Sequence, residues 1–222
     1  MVYEIIRSKH NVFFESLVIA LLILLLGFLL GAYIESLRAN RTIADYKQFE
    51  VGALDLKLQN YYFQIMDQTT CGVAIKQNLI FADKIYSSGL LIDKYEKANE
   101  LSESLMLEKK RYVLLKTELW LNSMLLKKKC NNPFHTVVYL YENNANNAKD
   151  AEQSAVSDTL KELKDKEGNN IILLPIAGNL ELDSVSMQMQ IYNITYLPSV
   201  IIDEKTVLKG YHSLEELENY TK

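Results

Sequence analysis

The most ordered pattern in the chain is an absence of charge. After a short tail at residues 1–15, nineteen residues from Ser16 to Ile34 carry no charged side chain and lie between Glu15 and Glu35. As a helix this run spans roughly 28 Å, close to the hydrocarbon core of about 30 Å. No polar stripe marks it as the buried side of a soluble helix. It exceeds the roughly 7–15 apolar residues of a secretory signal, and Leu29–Ile34 offers no small-x-small cleavage site. The pattern predicts a single-pass transmembrane helix at 16–34 in contact with membrane lipid. Arg7 and Lys9 before it nearly balance Arg38, Arg41 and Lys47 after it. A short tail ahead of a large C-terminal bulk places that bulk on the extracytoplasmic side, as in a signal anchor.

From residue 35 to residue 130 the period becomes helical and no proline interrupts it. Leu54, Leu58, Tyr61 and Ile65 follow i, i+4, i+7, i+11, so the membrane helix is expected to continue past the bilayer. Asp67–Thr70 reads as a break and new cap. A second helix is expected over 71–99, with Leu79, Ile85, Ile92 and Tyr95 on its apolar side and Ser87-Ser88-Gly89 loosening it. A third is expected over 101–129, with Leu105, Tyr112, Leu115, Leu119 and Leu126 in step and Trp120 beside them. Short joins favour an antiparallel hairpin or small bundle acting as a stalk. Heptads are too interrupted for a long parallel coiled coil, which ranks second.

Beyond Asn131-Asn132-Pro133 the period changes again. His135–Tyr141 is a β-branched and aromatic strand, and 151–166 an amphipathic helix. Asn170–Ile176 reads as a central strand covered on both faces and ended by Pro175. A short helix over 183–192, a strand over 199–203, a tight turn at Glu204-Lys205 and a returning strand over 206–210 follow. Ser213 and Glu216 have capping-box spacing for a last helix. The expected order over 133–222 is β-α-β-α-β-β-α, so the fold class is a membrane helix, an all-α stalk and an α/β domain.

Composition sharpens this division. A formal charge of −4 gives no general basic face for nucleic acid. The charge is split: residues 36–134 hold fifteen Lys and Arg against eleven Asp and Glu, whereas residues 135–222 hold seven against fourteen. Lys109-Lys110-Arg111 and Lys127-Lys128-Lys129 have the chemistry to meet lipid phosphates or an acidic partner. Solvated faces, and charge complementing a helix C-terminus, explain them more simply. Gly27 and Gly31 form a GxxxG able to bring two membrane helices together, or simply face lipid. His10, His135 and His212 have no metal-ligand spacing. No phosphate loop, catalytic triad or cofactor motif is present. Asn40, Asn193 and Asn219 head glycosylation sequons.

The α/β order, with Pro198 opening the third strand within YNITYLPSVII (192–202), resembles the thioredoxin fold over about 90 residues, Pro133–Lys222. The resemblance implies that Pro198 holds the cis-proline position. It also implies a redox pair at the start of the helix after the first strand. Asn144 and Asn147 stand where that C-x-x-C would align. Asparagine forms no thiolate, so the resemblance implies a redox-inactive member serving as a binding or scaffolding module for a protein partner. The whole layout also resembles archaeal membrane-anchored thioredoxin-like proteins.

Cys71 opens the second predicted helix and Cys130 ends the third. Antiparallel neighbours would bring both to one end, within the roughly 4.4–6.8 Å Cα separation of a disulfide. Such a bridge suits an oxidising exterior. Two unrelated thiols, or a redox-active pair with Cys71 activated at a helix N-terminus, are the alternatives. Three functions follow: a redox-inert binding module, a thiol–disulfide enzyme or sensor using Cys71 and Cys130, or a stalk that assembles homo-oligomers in the membrane.

Overall fold

The computed structural model describes residues 9–65, 68–97, 103–131 and 133–221; side chains are described except at 9–12, 35–50, 53, 68, 90–97 and 103–105. The chain is mixed α/β and divides into two compact units, residues 1–52 and 53–222. The first unit is helical throughout its described part and belongs to α1 (Lys9–Ile65). Its stretch Phe13–Ile34 is long and apolar enough to cross a membrane, and its side chains are exposed.

In the second unit α1 ends at Ile65 and a 3-10 turn (Gln68–Thr70) leads into α2 (Cys71–Lys97). The expected break is therefore present, although Asp67 lies outside the described residues. α2 runs unbroken through Ser87 and Ser88. Their hydroxyls donate to the carbonyls of Asp83 and Lys84 one turn back, at 2.9 Å each. Gly89 has a packing reason instead: a Cβ there would stand 2.0 Å from the Tyr112 hydroxyl. That hydroxyl donates to the Ile85 carbonyl at 2.7 Å.

α3 (Glu103–Lys129) runs antiparallel to α2, as the pairs Cys71–Cys130, Asn78–Ser123 and Ile85–Tyr112 show. Tyr112, Leu115, Leu119, Trp120 and Leu126 are buried as their spacing predicts. Leu105, Ile92 and Tyr95 lie outside the described side chains. The stripe of α1 lies on a continuous helix, as its spacing predicts, but faces outward. Leu54, Leu58, Tyr61 and Ile65 are exposed, and Leu56 and Phe63 make the buried contacts instead.

The strands are β1 (His135–Tyr141), β2 (Ile171–Ala177), β3 (Ser199–Ile202) and β4 (Thr206–Lys209). They form one sheet in the order β2-β1-β3-β4. β1 pairs parallel with β2 and antiparallel with β3, and β3 pairs antiparallel with β4. β2 is thus an edge strand, not the central strand its apolar run suggests. Pro175 lies inside it, not at its end. A proline can sit there because its missing N–H falls on the unpaired side. The neighbouring carbonyls on that side are taken by lysines: Lys116 Nζ donates to Pro175 O and Lys164 Nζ to Ile171 O.

α4 (Asn147–Glu167) and α6 (Leu214–Glu218) pack together over one face of the sheet. Val156, Leu160 and Leu163 meet Val137, Tyr139, Ile171, Val200 and Ile202 there in an apolar core. The capping box of α6 forms as its spacing predicts: Glu216 N–H donates to Ser213 Oγ, and Ser213 N–H to Glu216 Oε2. α3 covers the opposite face beside α5 (Asp183–Ile191). At residues 131–133, where the chain reads as passing from stalk to terminal domain, the helix before the junction is already packed on the sheet after it.

Candidate functional site

The β1–α4 connection is where a redox pair is expected. Asn144 is exposed in a left-handed turn (φ 57°), and Asn147 is the exposed first residue of α4. The cap itself is Asn146, whose side chain accepts from Lys149 N–H at 3.1 Å. No sulfur stands in this connection. Side-chain amides hold it shut. Asn143 N–H donates to Asn179 Oδ1 at 2.7 Å, and Asn179 Nδ2 returns a bond to Asn143 O at 3.0 Å. Buried Gln153 clamps Glu142 by accepting from its N–H at 2.6 Å and donating to its carbonyl at 3.1 Å. Lys149 pairs with the Glu142 carboxylate at 2.5 Å.

Pro198 is buried beside this loop, with a cis Leu197–Pro198 peptide, and precedes Ser199, which faces Leu140 in register. Tyr196, nearby and exposed, donates to Glu152 Oε2 at 2.6 Å, and that bond, with burial and the adjacent charge, raises its phenol pKa.

A cleft of about 320 Å³ opens next to the loop, between α3, α4 and the β2 edge. Buried Lys109 and Lys116 line it with Tyr112, Tyr139, Tyr141 and Ser157. Lys109 bonds Asn143 Oδ1, and Lys116 lies 4.0 Å from the centroid of the Tyr112 ring. Tyr139 and Tyr141 stack at 5.6 Å. Burial, then the neighbouring Tyr141, Asp150 and Glu152, push the Tyr139 phenol well above its ordinary value, so it stays protonated and donates to Gln153 O. Both ammoniums are engaged within the chain, Lys109 with Asn143 and Lys116 with Pro175 O and the Tyr112 ring, so the cleft presents positive charge beside an aromatic wall.

Cys71 and Cys130 form a disulfide with Cα atoms 5.6 Å apart. It closes a separation of 59 residues, worth about 4 kcal/mol in the chain-entropy description. It sits at the far end of α3 from the loop: roughly 30 Å of helix separates Lys109, beside Asn143, from Cys130. Pro198 lies at the loop end of the sheet, opposite Leu140, not beside the cysteines.

The basic runs are less solvated than expected. Lys109 and Lys127 are buried, whereas Lys128 is exposed. Lys129 Nζ donates to the carbonyls of Phe63 and Gln64 near the end of α1, at 2.5 and 2.8 Å. Lys127 is the centre of a network that periodicity did not reveal. It donates to Thr136 Oγ1 at 3.0 Å, to Glu204 Oε2 at 2.9 Å and to Asp203 Oδ1. His135 Nδ1 lies 2.6 Å from Asp203 Oδ2, and Trp120 Nε1 donates to Glu204 Oε1 at 2.9 Å. Asp203 and Glu204 both have positive φ (51° and 58°) in the β3–β4 turn, where Asn-Gly is the usual choice. That unusual pair of turn residues was the available sequence signal. Burial alone would raise the Asp203 carboxyl. Bonds from Lys127, His135 and Thr136 N–H outweigh burial and hold its pKa below the ordinary value.

The remaining sequence candidates stay apart. A Cβ added at Gly27 or Gly31 would meet no heavy atom within 4 Å, and His212 meets Glu216 at 3.3 Å. Asn193 and Asn219 are exposed, whereas the side chains of Asn40 and His10 lie outside those described. No group of three metal-capable side chains converges among the described residues. Comparison with known protein families, curated proteins and solved structures finds no match for the chain.

Proposed function

We propose that the chain is a single-pass membrane protein carrying a redox-inert thioredoxin-like domain that binds another protein on the extracytoplasmic side. The observation that carries this reading is the β1–α4 loop, which is closed by amide hydrogen bonds and has no thiol at the helix start. The strand order, the placing of α4 and α6 on one face and α5 on the other, and Pro198 ahead of β3 support the thioredoxin-like assignment. The apolar stretch Phe13–Ile34 supports the anchor, and the disulfide supports an oxidising surrounding. The anchor is 16–34, the helical hairpin or stalk 35–130 and the thioredoxin-like domain 133–222. The cleft beside Asn143 is the surface offered to the partner.

The test is insulin-disulfide reduction by the full chain in detergent with dithiothreitol as electron source. No acceleration over dithiothreitol alone is expected. Acceleration that disappears in Cys71→Ser would replace the binding reading with the thiol–disulfide enzyme. Carbonate extraction of native membranes tests the anchor separately, and protease protection of sealed vesicles tests the orientation.

A further inference from the structure

The last three turns of α1 carry two apolar faces, and among the described residues only one of them is buried. Leu56 and Phe63, seven apart, are 0% and 8% exposed. Leu54, Leu58, Tyr61 and Ile65 keep 56%, 67%, 65% and 82% of their surface exposed. Single apolar side chains on a surface need no explanation. Four in succession at spacings of 4, 3 and 4 have the d-a-d-a spacing of a coiled-coil seam. Polar residues flank the seam: Asp55 and Gln59 bond each other at 2.8 Å, and Lys57 stands on the other side.

We propose that this stripe is where two copies of the chain meet, as parallel helices in register, Leu58 against Leu58. The proposal rests on the reading of 16–34 as a membrane anchor. Copies inserted with one topology present the stripe in the same direction, which makes the parallel pairing available and the antiparallel one unavailable. Leucine at the first d position and isoleucine at the last a position suit a parallel pair. A seam of four residues falls short of the roughly 1,600 Å² of a standard free-standing interface. Confinement to one bilayer supplies the difference by raising the effective concentration of the partner. The contact is distinct from Gly27 and Gly31.

Both native cysteines are bridged, so one introduced cysteine is the sole free thiol. Full-length Leu58→Cys in membranes, oxidised with copper phenanthroline, is expected to give at least tenfold more disulfide-linked dimer than Gln59→Cys on the flank. Leu58→Asp/Ile65→Asp is expected to lower the dimer fraction of the otherwise native chain in bilayers at least tenfold. Its near-ultraviolet circular dichroism would remain unchanged, because both positions are exposed. Equal cross-linking at 58 and 59, or an undiminished dimer in the double variant, overturns the proposal. So does a thiol at 58 that never cross-links but is shielded from a water-soluble maleimide by lipid, which makes the bilayer surface the occupant. Carbonate extraction separates the two readings. A chain released by carbonate that still cross-links at 58 loses the anchor and keeps the seam. A retained chain that does not cross-link keeps the anchor and loses the seam.

Discussion

The two faces of the sheet are held by different physics. Under α4 and α6 the contact is apolar and non-directional: Val156, Leu160 and Leu163 on Val137, Ile171 and Val200. Under α3 the contact is threaded with charge. Lys109, Lys116 and Lys127 are buried on one side of that helix and reach a loop amide, a strand carbonyl and two turn carboxylates. The apolar face supplies stability through area removed from water. The α3 face also buries Val138, Leu140, Ile172 and Ile201, and its charged contacts add position to that burial. A lysine that must reach Asp203 and Glu204 at one end, and another that must reach Asn143 at the other, leave α3 one register along β1. Buried ion pairs are poor sources of net stability and costly to break, so their use here is best read as alignment.

The comparison breaks first at Lys127. Lys127→Ala leaves the Asp203 and Glu204 carboxylates without their cation and is expected to cost about 4 kcal/mol in urea unfolding of the full chain. Lys127→Met combined with Asp203→Asn and Glu204→Gln should recover most of that loss. A triple variant as unstable as the single one would mean that packing, not charge, is what Lys127 provides. On the apolar face Leu160→Ala should cost about 3 kcal/mol, with no effect on the Trp120 environment. A shift in Trp120 fluorescence equal to that of Lys127→Ala would show that the two faces are not separable.

Asn78, fully buried, donates to Ser123 Oγ at 2.9 Å and accepts from Asn122 Nδ2 at 3.2 Å, joining α2 to α3. Asn78→Ala leaves the buried Asn122 amide without this acceptor, while Ser123 keeps its bond to Leu119 O, and should cost about 2 kcal/mol. The smallest effect is in acid. Asp203 titrates below its ordinary value of 3.8, so its contribution is fully present above that pH and is lost as the pH falls through the depressed folded value. Asp203→Asn should flatten the stability profile below about pH 4. An unchanged acid limb would show that other carboxylates set it.

The apolar core was legible wherever one period governs a segment. β1 and the face of α3 with Leu115, Leu119 and Leu126 follow their spacing, and so does the pairing of Cys71 with Cys130. The edge position of β2 had one local signal, Pro175, but an all-apolar run that reaches a proline reads equally as a central strand ending there. The stripe of α1 correctly marked a helix that runs on to Ile65, but not which of its faces is buried. Periodicity identifies an apolar face but not whether the same chain covers it, and Leu56 and Phe63 form a second, quieter face. Of the candidate site, the missing thiols were legible directly. The amide clamps were not, since Asn143, Asn179 and Gln153 meet only through tertiary geometry. The burial of Lys109 and Lys127 was hidden because runs of lysine ordinarily belong to solvent.

The lysines at the β2 border have one more consequence. An unpaired strand is a template on which a neighbouring chain can crystallise a further strand, and anchoring many copies in one plane would multiply such encounters. Here Pro175 offers no hydrogen to a visitor, while Lys116 and Lys164 already occupy the carbonyls of Pro175 and Ile171. At Pro175 and Ile171, two positions of this border, the backbone is therefore poorly suited to accept a further strand.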